Sequence, residues 1–256
     1  MPWNPEIYNQ FKNIRHQPFF DLMEFISPQN IKTAIDIGCG TGEQTHILSQ
    51  KFDKVNFIGI DSSAEMLAES KQFKSEKLDF KLASVEEFIQ YNQKFDLIFS
   101  NAALQWSYNH EDLFPKLISH LTENGQFAVQ MPMQAHNVLN KILLELVQEK
   151  PYTDFLNGWK REPTMLSIDE YAQIMFDGGL KDIQIIQKVY PIIADDAVKL
   201  FDFISGSALI PYMERLSEKQ SEIFIGEYKK RIKEKFAKFP AMYAFKRLLL
   251  YGKKVI

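Results

Sequence analysis

Asp36, Gly38, Gly40 and Gly42 fall at every second position in the stretch TAIDIGCGTGEQT, Thr33 to Thr45, and Asp61 closes the later stretch FIGID. Glycine tolerates positive φ and lets the backbone come close to a ligand. A carboxylate about 20 residues beyond such a loop accepts hydrogen bonds from a ribose diol. The spacing is G-x-G-x-G, whereas a nicotinamide fingerprint is G-x-G-x-x-G with pyrophosphate on the helix N-terminus. Asp36 would repel a pyrophosphate and suits an ammonium group. Adenosine joined to an amino acid satisfies both acids, which points to S-adenosylmethionine.

The elements that must hold these residues read as an α/β pattern. TAIDIG (33–38), NFIGID (56–61), DFKLAS (79–84), FDLIFSN (95–101) and GQFAVQMP (125–132) are apolar, β-rich runs bounded by turn residues. GEQTHILSQKF, SAEMLAESKQF and HEDLFPKLISHL lie between them with helical spacing, and Ser63 is a candidate N-cap. Such alternation predicts a parallel sheet with helices on both faces and the glycine loop at the carboxyl ends of the strands. Beyond residue 132, HNVLNKILLELVQEK and IDEYAQIMFDGGL read as helices, the second stopped by Gly178 and Gly179. DIQIIQKVYPII is a sixth strand, residues 195–238 read as entirely helical, and AFKRLLLYGKKV is a seventh strand. One domain, 1–256, is expected, with a core of about 30–132, 180–192 and 243–256. Helical insertions of about 133–166 and 195–240 would cap it.

Composition excludes several classes. Of 256 residues 45% are apolar, enough for a substantial core, and Lys plus Arg is 30 against Asp plus Glu 33. That balance leaves no footprint for nucleic acid. The Lys/Arg face of SEIFIGEYKKRIKEKFAKF reads as a solvated surface. No apolar run is long enough to span a bilayer and the start lacks a signal-peptide pattern, so a cytoplasmic protein is expected. Cys39 is the single cysteine, so neither a disulfide nor a multi-cysteine metal site is expected.

DIGCGTG resembles the first motif of the class I methyltransferases. DLIFSNAALQW, NHEDLFPKLISHL, AVQMP and an N-terminal WNPEIYNQF with a following Arg and Pro are similar to the trans-aconitate 2-methyltransferase family. The resemblance covers residues 3–18 and 33–132, with REP at 161–163 and FKRLLLYG matching more loosely. It implies a Rossmann-like sheet of six parallel strands and one antiparallel, and S-adenosylmethionine as cofactor. It places Asp36, Gly38, Cys39, Gly40 and Gly42 at the methionine end, Asp61 on ribose, and Ser62 and Met66 beside the adenosine. Ser84 and Val85 occupy the third motif, where many relatives have an Asp reading the adenine amino group. Asn101, Ala102 and Gln105 follow the fourth strand near the sulfonium, and Trp106 would wall cofactor from substrate.

The family's reaction, methyl transfer to a carboxylate, uses a nucleophile already ionised at neutral pH. No general base is then required, and alignment in a dry pocket carries the rate. His110 reads as a surface residue at a helix start, and Cys39 as a packing residue. A polyanionic acid needs cations, for which Arg15, Arg161 and Arg247 are candidates beside Tyr8. The resemblance implies a Leu-Arg-Pro-aromatic pattern where this chain has LIPY, with Ile210 at the arginine, which weakens the case for a tricarboxylate. A malonyl-carrier-protein-type carboxyl methyltransferase and a non-catalytic adenosyl-binding protein stay open as alternatives. Oligomeric state is not readable.

Overall fold

The structure is a computed structural model that describes residues 12–255, so Tyr8 and most of the N-terminal motif lie outside the described residues. Its seven strands are β1 (Thr33–Ile37), β2 (Asn56–Asp61), β3 (Leu78–Leu82), β4 (Phe95–Asn101), β5 (Leu121–Pro132), β6 (Leu180–Ala194) and β7 (Ala241–Lys254). They form one sheet in the order β3-β2-β1-β4-β5-β7-β6. β1 to β5 pair in parallel and β7 runs antiparallel to β5, the six-plus-one arrangement expected. The first three strands build outward on one side of β1, and β4 then starts the other side. This reversal makes a crevice at the carboxyl ends of β1 and β4, where doubly wound sheets bind ligands.

Contacts divide the chain into two compact units. The sheet unit comprises Gln17–Pro132, Thr164–Lys188 and the chain from Arg247 onward. One face of its sheet packs Ala34, Phe57, Leu97, Phe99, Ala128 and Leu249 with Phe19 and Leu22 of the helix Lys12–Met23. The helical unit comprises Met133–Pro163 and Val189–Lys246, with the described residues up to His16. Its core joins Leu139, Leu143 and Leu146 to Phe201, Tyr212, Phe224 and Tyr228, and the Tyr228 hydroxyl donates to the Leu139 carbonyl at 2.9 Å.

Residues 195–238 are not one helical run. They form Ala197–Ser205, Ile210–Met213 and Glu218–Lys235, broken after Gly206 and again before Ser217. Ser217 starts the last of these with a capping box to Gln220, so the break is encoded locally. Gly178 ends the helix Ile168–Asp177, with Gly179 at φ 80°, as the Gly-Gly pair predicts. No helix among the described residues is long and apolar enough to cross a membrane.

Candidate functional site

The loop after β1 is fixed by its own chain. The Gly38 and Cys39 amides both donate to the Ile60 carbonyl, at 2.8 and 2.9 Å. Gly38 has φ 75°, and a methyl group there would lie 2.1 Å from the Ala103 side chain. Gly42 has φ 78° and a methyl there would lie 2.7 Å from the Phe80 ring. Packing therefore dictates glycine at both positions before any ligand is considered. The Gly40 amide has a different use, donating to Asp61 Oδ2 at 2.8 Å while the Ser63 amide donates to Oδ1 at 2.8 Å. Asp61 thus ties the loop to the end of β2. A carboxylate has about four lone-pair sites, so capacity remains for a diol.

Asp36 is buried, and Thr45 Oγ donates to its Oδ2 at 2.6 Å. Burial pushes its carboxyl up to about 7, the Thr45 bond opposing and the Asp61 charge reinforcing the rise. Burial likewise pushes the Cys39 thiol up, which fits packing rather than nucleophilic chemistry.

At the end of β4, Asn101 Nδ2 donates to Gln44 Oε1 at 2.9 Å, and its Oδ1 is buried without a partner. Ala102 has φ 55°, a strained value for a residue with a Cβ, and its amide donates to the Gln130 carbonyl at 2.9 Å. Gln105 is buried and folds back to the Ala102 carbonyl, while Thr164 Oγ donates to the Gln105 carbonyl at 2.9 Å. Trp106 ends the single turn Leu104–Trp106 and is 41% exposed, so it is not a core tryptophan. Met66 and Ser62 are exposed beside the loop, and a methyl on Gly40 would lie 3.0 Å from Met66 Cε. Ser63 caps the helix Ala64–Ser70 through the Met66 amide. Ser84 caps the helix Val85–Phe88 in a reciprocal box with Glu87, and Val85 is buried. The Ser84 oxygen is thus engaged, leaving its hydroxyl hydrogen for a ligand.

His110 corrects the sequence reading. It starts a helix, His110–Ser119, but is only 1% exposed. Its Nε2 faces the Leu104 carbonyl at 2.9 Å and its Nδ1 faces the Tyr171 hydroxyl at 2.6 Å. A carbonyl only accepts, so Nε2 carries the hydrogen and Tyr171 donates to Nδ1. Burial holds this imidazole below its ordinary pKa. The Leu166 amide in turn donates to Tyr171 Oη at 3.3 Å. His110 therefore braces the Leu104–Trp106 turn against the segment 166–171, an assignment its position in NHEDLF did not reveal.

The three arginines divide between the units. Arg15 and Arg161 are in the helical unit, where Arg15 stacks on the Phe203 ring and donates to the Phe203 carbonyl. Arg161 lines a small cavity with Asn140, Leu143, Ala208 and Tyr212. Ile210 is half-buried at the start of its short helix, next to buried Leu209 and Tyr212. Arg247 is in the sheet unit, 6% exposed, and donates to Gln130 Oε1 at 3.1 Å. Thr45, Gln44 and Gln130 were missed from sequence. The available signal for Gln130 was an amide, the second after Gln126, inside the apolar strand GQFAVQMP. Among the described residues no group of His, Cys, Asp and Glu is arranged to hold a metal ion.

The chain matches a methyltransferase-domain family model over residues 29–194. It is 35% identical to a trans-aconitate 2-methyltransferase of Deinococcus radiodurans, over 97% of each chain. The chain belongs to the trans-aconitate 2-methyltransferase family. A trans-aconitate 2-methyltransferase of Escherichia coli is 31% identical over 98% of each chain. Among solved structures, the YcgJ protein of Bacillus subtilis superposes with TM-score 0.61 at 18% identity, covering 94% of this chain and 99% of that one. A phosphoethanolamine N-methyltransferase 2 of Haemonchus contortus, solved with S-adenosyl-L-methionine, gives TM-score 0.57 at 16% identity, over 94% of this chain and 53% of that one. These two show the shared fold. Membership makes this chain a methyltransferase and gives the loop, Asp36 and Asp61 their setting.

Proposed function

We propose that the protein transfers the methyl group of S-adenosylmethionine to one carboxylate of a small organic acid, trans-aconitate or a related di- or tricarboxylate, giving a monomethyl ester. The observation that carries this is the full-length identity to trans-aconitate 2-methyltransferases, together with the two acids at the carboxyl ends of β1 and β2. The cofactor supplies a methyl group on a cationic sulfur, and an ionised carboxylate oxygen takes it as the carbon–sulfur bond breaks. No proton moves in that exchange, so the chain supplies geometry and field rather than a base.

Each residue then has a physical role. Asp61, already anchored to the Gly40 and Ser63 amides, accepts from the ribose diol. Asp36 meets the ammonium group directly or through water, and a nearby cation favours its charged form. Asn101, held by Gln44, presents Oδ1 to the cationic end of the cofactor. Arg247, in the same unit as the glycine loop, supplies positive charge for the acid, and Trp106 separates the acid from the adenosine. The resemblance implies an arginine where this chain has Ile210, so weaker use of trans-aconitate, or a dicarboxylate preference, is expected.

The test is a product screen with trans-aconitate, smaller dicarboxylates and malonyl thioesters at saturating cofactor. A base-labile methyl ester and a kcat that stays flat from about pH 6 to 8 are expected, because carboxyl pKa values lie below that window. A rate that climbs with pH, with a base-stable product, would mean an amine or phenol acceptor and overturn the assignment.

A further inference from the structure

Gln130 stands near the end of β5 with no exposed surface. Arg247 Nη1 donates to its Oε1 at 3.1 Å. A guanidinium has no acceptor, so the amide must turn its oxygen to Arg247 and its NH2 elsewhere. That Nε2 is buried and meets no hydrogen-bond acceptor among the described residues. Asn101, the cross-strand neighbour of Gln130 on β4, is arranged in the opposite sense. Its NH2 is spent on Gln44 and its Oδ1 is the buried atom without a partner. The backbones of the two are also joined, through the Ala102 amide and the Gln130 carbonyl. Register partners present their side chains on the same face of a sheet. The pair therefore puts one unpaired donor and one unpaired acceptor on the same face of the sheet, with a buried cation held by the donor's own amide.

Resting on the methyltransferase reading above, we propose that Gln130 is a substrate-recognition residue. Its Nε2–H2 donates to a carboxylate of the acid in concert with the Arg247 guanidinium, while Asn101 Oδ1 serves the cationic cofactor. An anion is attracted to the donor half and repelled from the Asn101 oxygen, so the cluster sorts the two reactants by charge. Arg247 polarises the amide by holding its oxygen, which strengthens the NH2 as a donor. Buried donors that go unused are uncommon, and each costs free energy until a ligand or water satisfies it.

Gln130→Glu keeps the shape, removes the NH2 and sets an anion beside Arg247. Gln130→Met removes the polar group altogether. Both are measured against the wild type for KM and kcat with trans-aconitate, for binding of the acid to the S-adenosylhomocysteine complex by calorimetry, and for S-adenosylhomocysteine affinity alone. The last reports that the sheet unit is intact. Loss of one hydrogen bond to a charged group corresponds to roughly 10- to 100-fold in affinity. KM should rise and acid binding weaken by that factor in both variants, Glu more than Met, with S-adenosylhomocysteine affinity within about twofold of wild type. Wild-type KM and acid binding in both variants would overturn the role of Gln130 while leaving the reaction standing. A wild type that neither binds nor methylates any carboxylic acid would overturn the reaction and this role with it. If S-adenosylhomocysteine affinity falls in step with acid binding, Gln130 is structural and the proposal fails.

Discussion

Replacing Asp36 by Asn should stabilise the cofactor-free protein at neutral and alkaline pH but not at acid pH. The carboxyl is raised from an ordinary 3.8 to about 7, chiefly by burial. At 1.36 kcal/mol per pH unit, ionising it in the fold rather than in the unfolded chain costs about 4 kcal/mol. The sign follows from proton counts. Between about pH 4 and 7 the folded state holds this proton and the unfolded state has lost it, so stability falls as pH rises through that window. Below it the cost is absent, and above it the cost is complete. Asn keeps an oxygen for the Thr45 hydroxyl, now held at 2.6 Å, but buries an NH2, which costs roughly 1–3 kcal/mol at every pH. The informative quantity is therefore the difference between variant and wild type as a function of pH. Urea unfolding of both proteins from pH 4.5 to 8.5, without cofactor, should show that difference shifting in favour of Asn by several kcal/mol and levelling off above about pH 7. Cofactor binding should move oppositely, since an ammonium ligand favours the ionised acid: wild-type affinity for S-adenosylhomocysteine should rise through pH 7 and the variant's should not. A stability difference that is constant with pH would show that Asp36 ionises freely and refute the reasoning.

Gly38→Ala combines φ 75° with a 2.1 Å approach to the Ala103 side chain, and should lower stability by more than the ~1 kcal/mol of the backbone term alone, read by thermal melting. Asp61→Ala removes the acceptor of two amides at 2.8 Å and the ribose contact. S-adenosylhomocysteine affinity should fall by roughly 1.5–3 kcal/mol per charge-assisted bond lost, and unchanged calorimetric binding would remove Asp61 from the site. Tyr171→Phe leaves His110 Nδ1 and the Leu166 amide without their partner, at about 1–3 kcal/mol in denaturant unfolding. His110 also predicts a loss of stability as pH falls below about 6.5, because its folded pKa is lowered and the unfolded chain takes the proton first. A His110→Gln variant should lack that acid-side loss.

The sheet was legible because its signals are local and mutually consistent. Alternating apolar runs and helices, a glycine loop after the first run and an acid after the second leave few arrangements, and β1, β2 and β4 fall within the expected segments. The helical half was less legible at its breaks: residues 195–238 carry helical spacing throughout, and the interruptions rest on single cues such as Gly206 and Ser217. Side-chain environment was the least legible level. His110 follows Asn109 in a polar stretch and reads as surface, yet the turn before it and the helix Ile168–Asp177 supply an acceptor, a donor and full burial from residues 6 and 61 positions away.

The same limit explains why the glycines and Gln130 were understood unequally. Gly38 and Gly42 announce a loop whatever they contact, so their sequence reading was correct about location even though packing against Ala103 and Phe80 is what requires them. Gln130 announces nothing until β7 is laid beside β5 and Arg247 is placed within 3.1 Å of its oxygen. Only that pairing fixes which end of the amide is available, and hence that it offers a donor to an anion rather than an acceptor to a cation. The methyl donor is cationic and the proposed acceptor anionic, so the direction in which one buried amide points is chemically decisive. That direction is set by a strand 117 residues further along the chain.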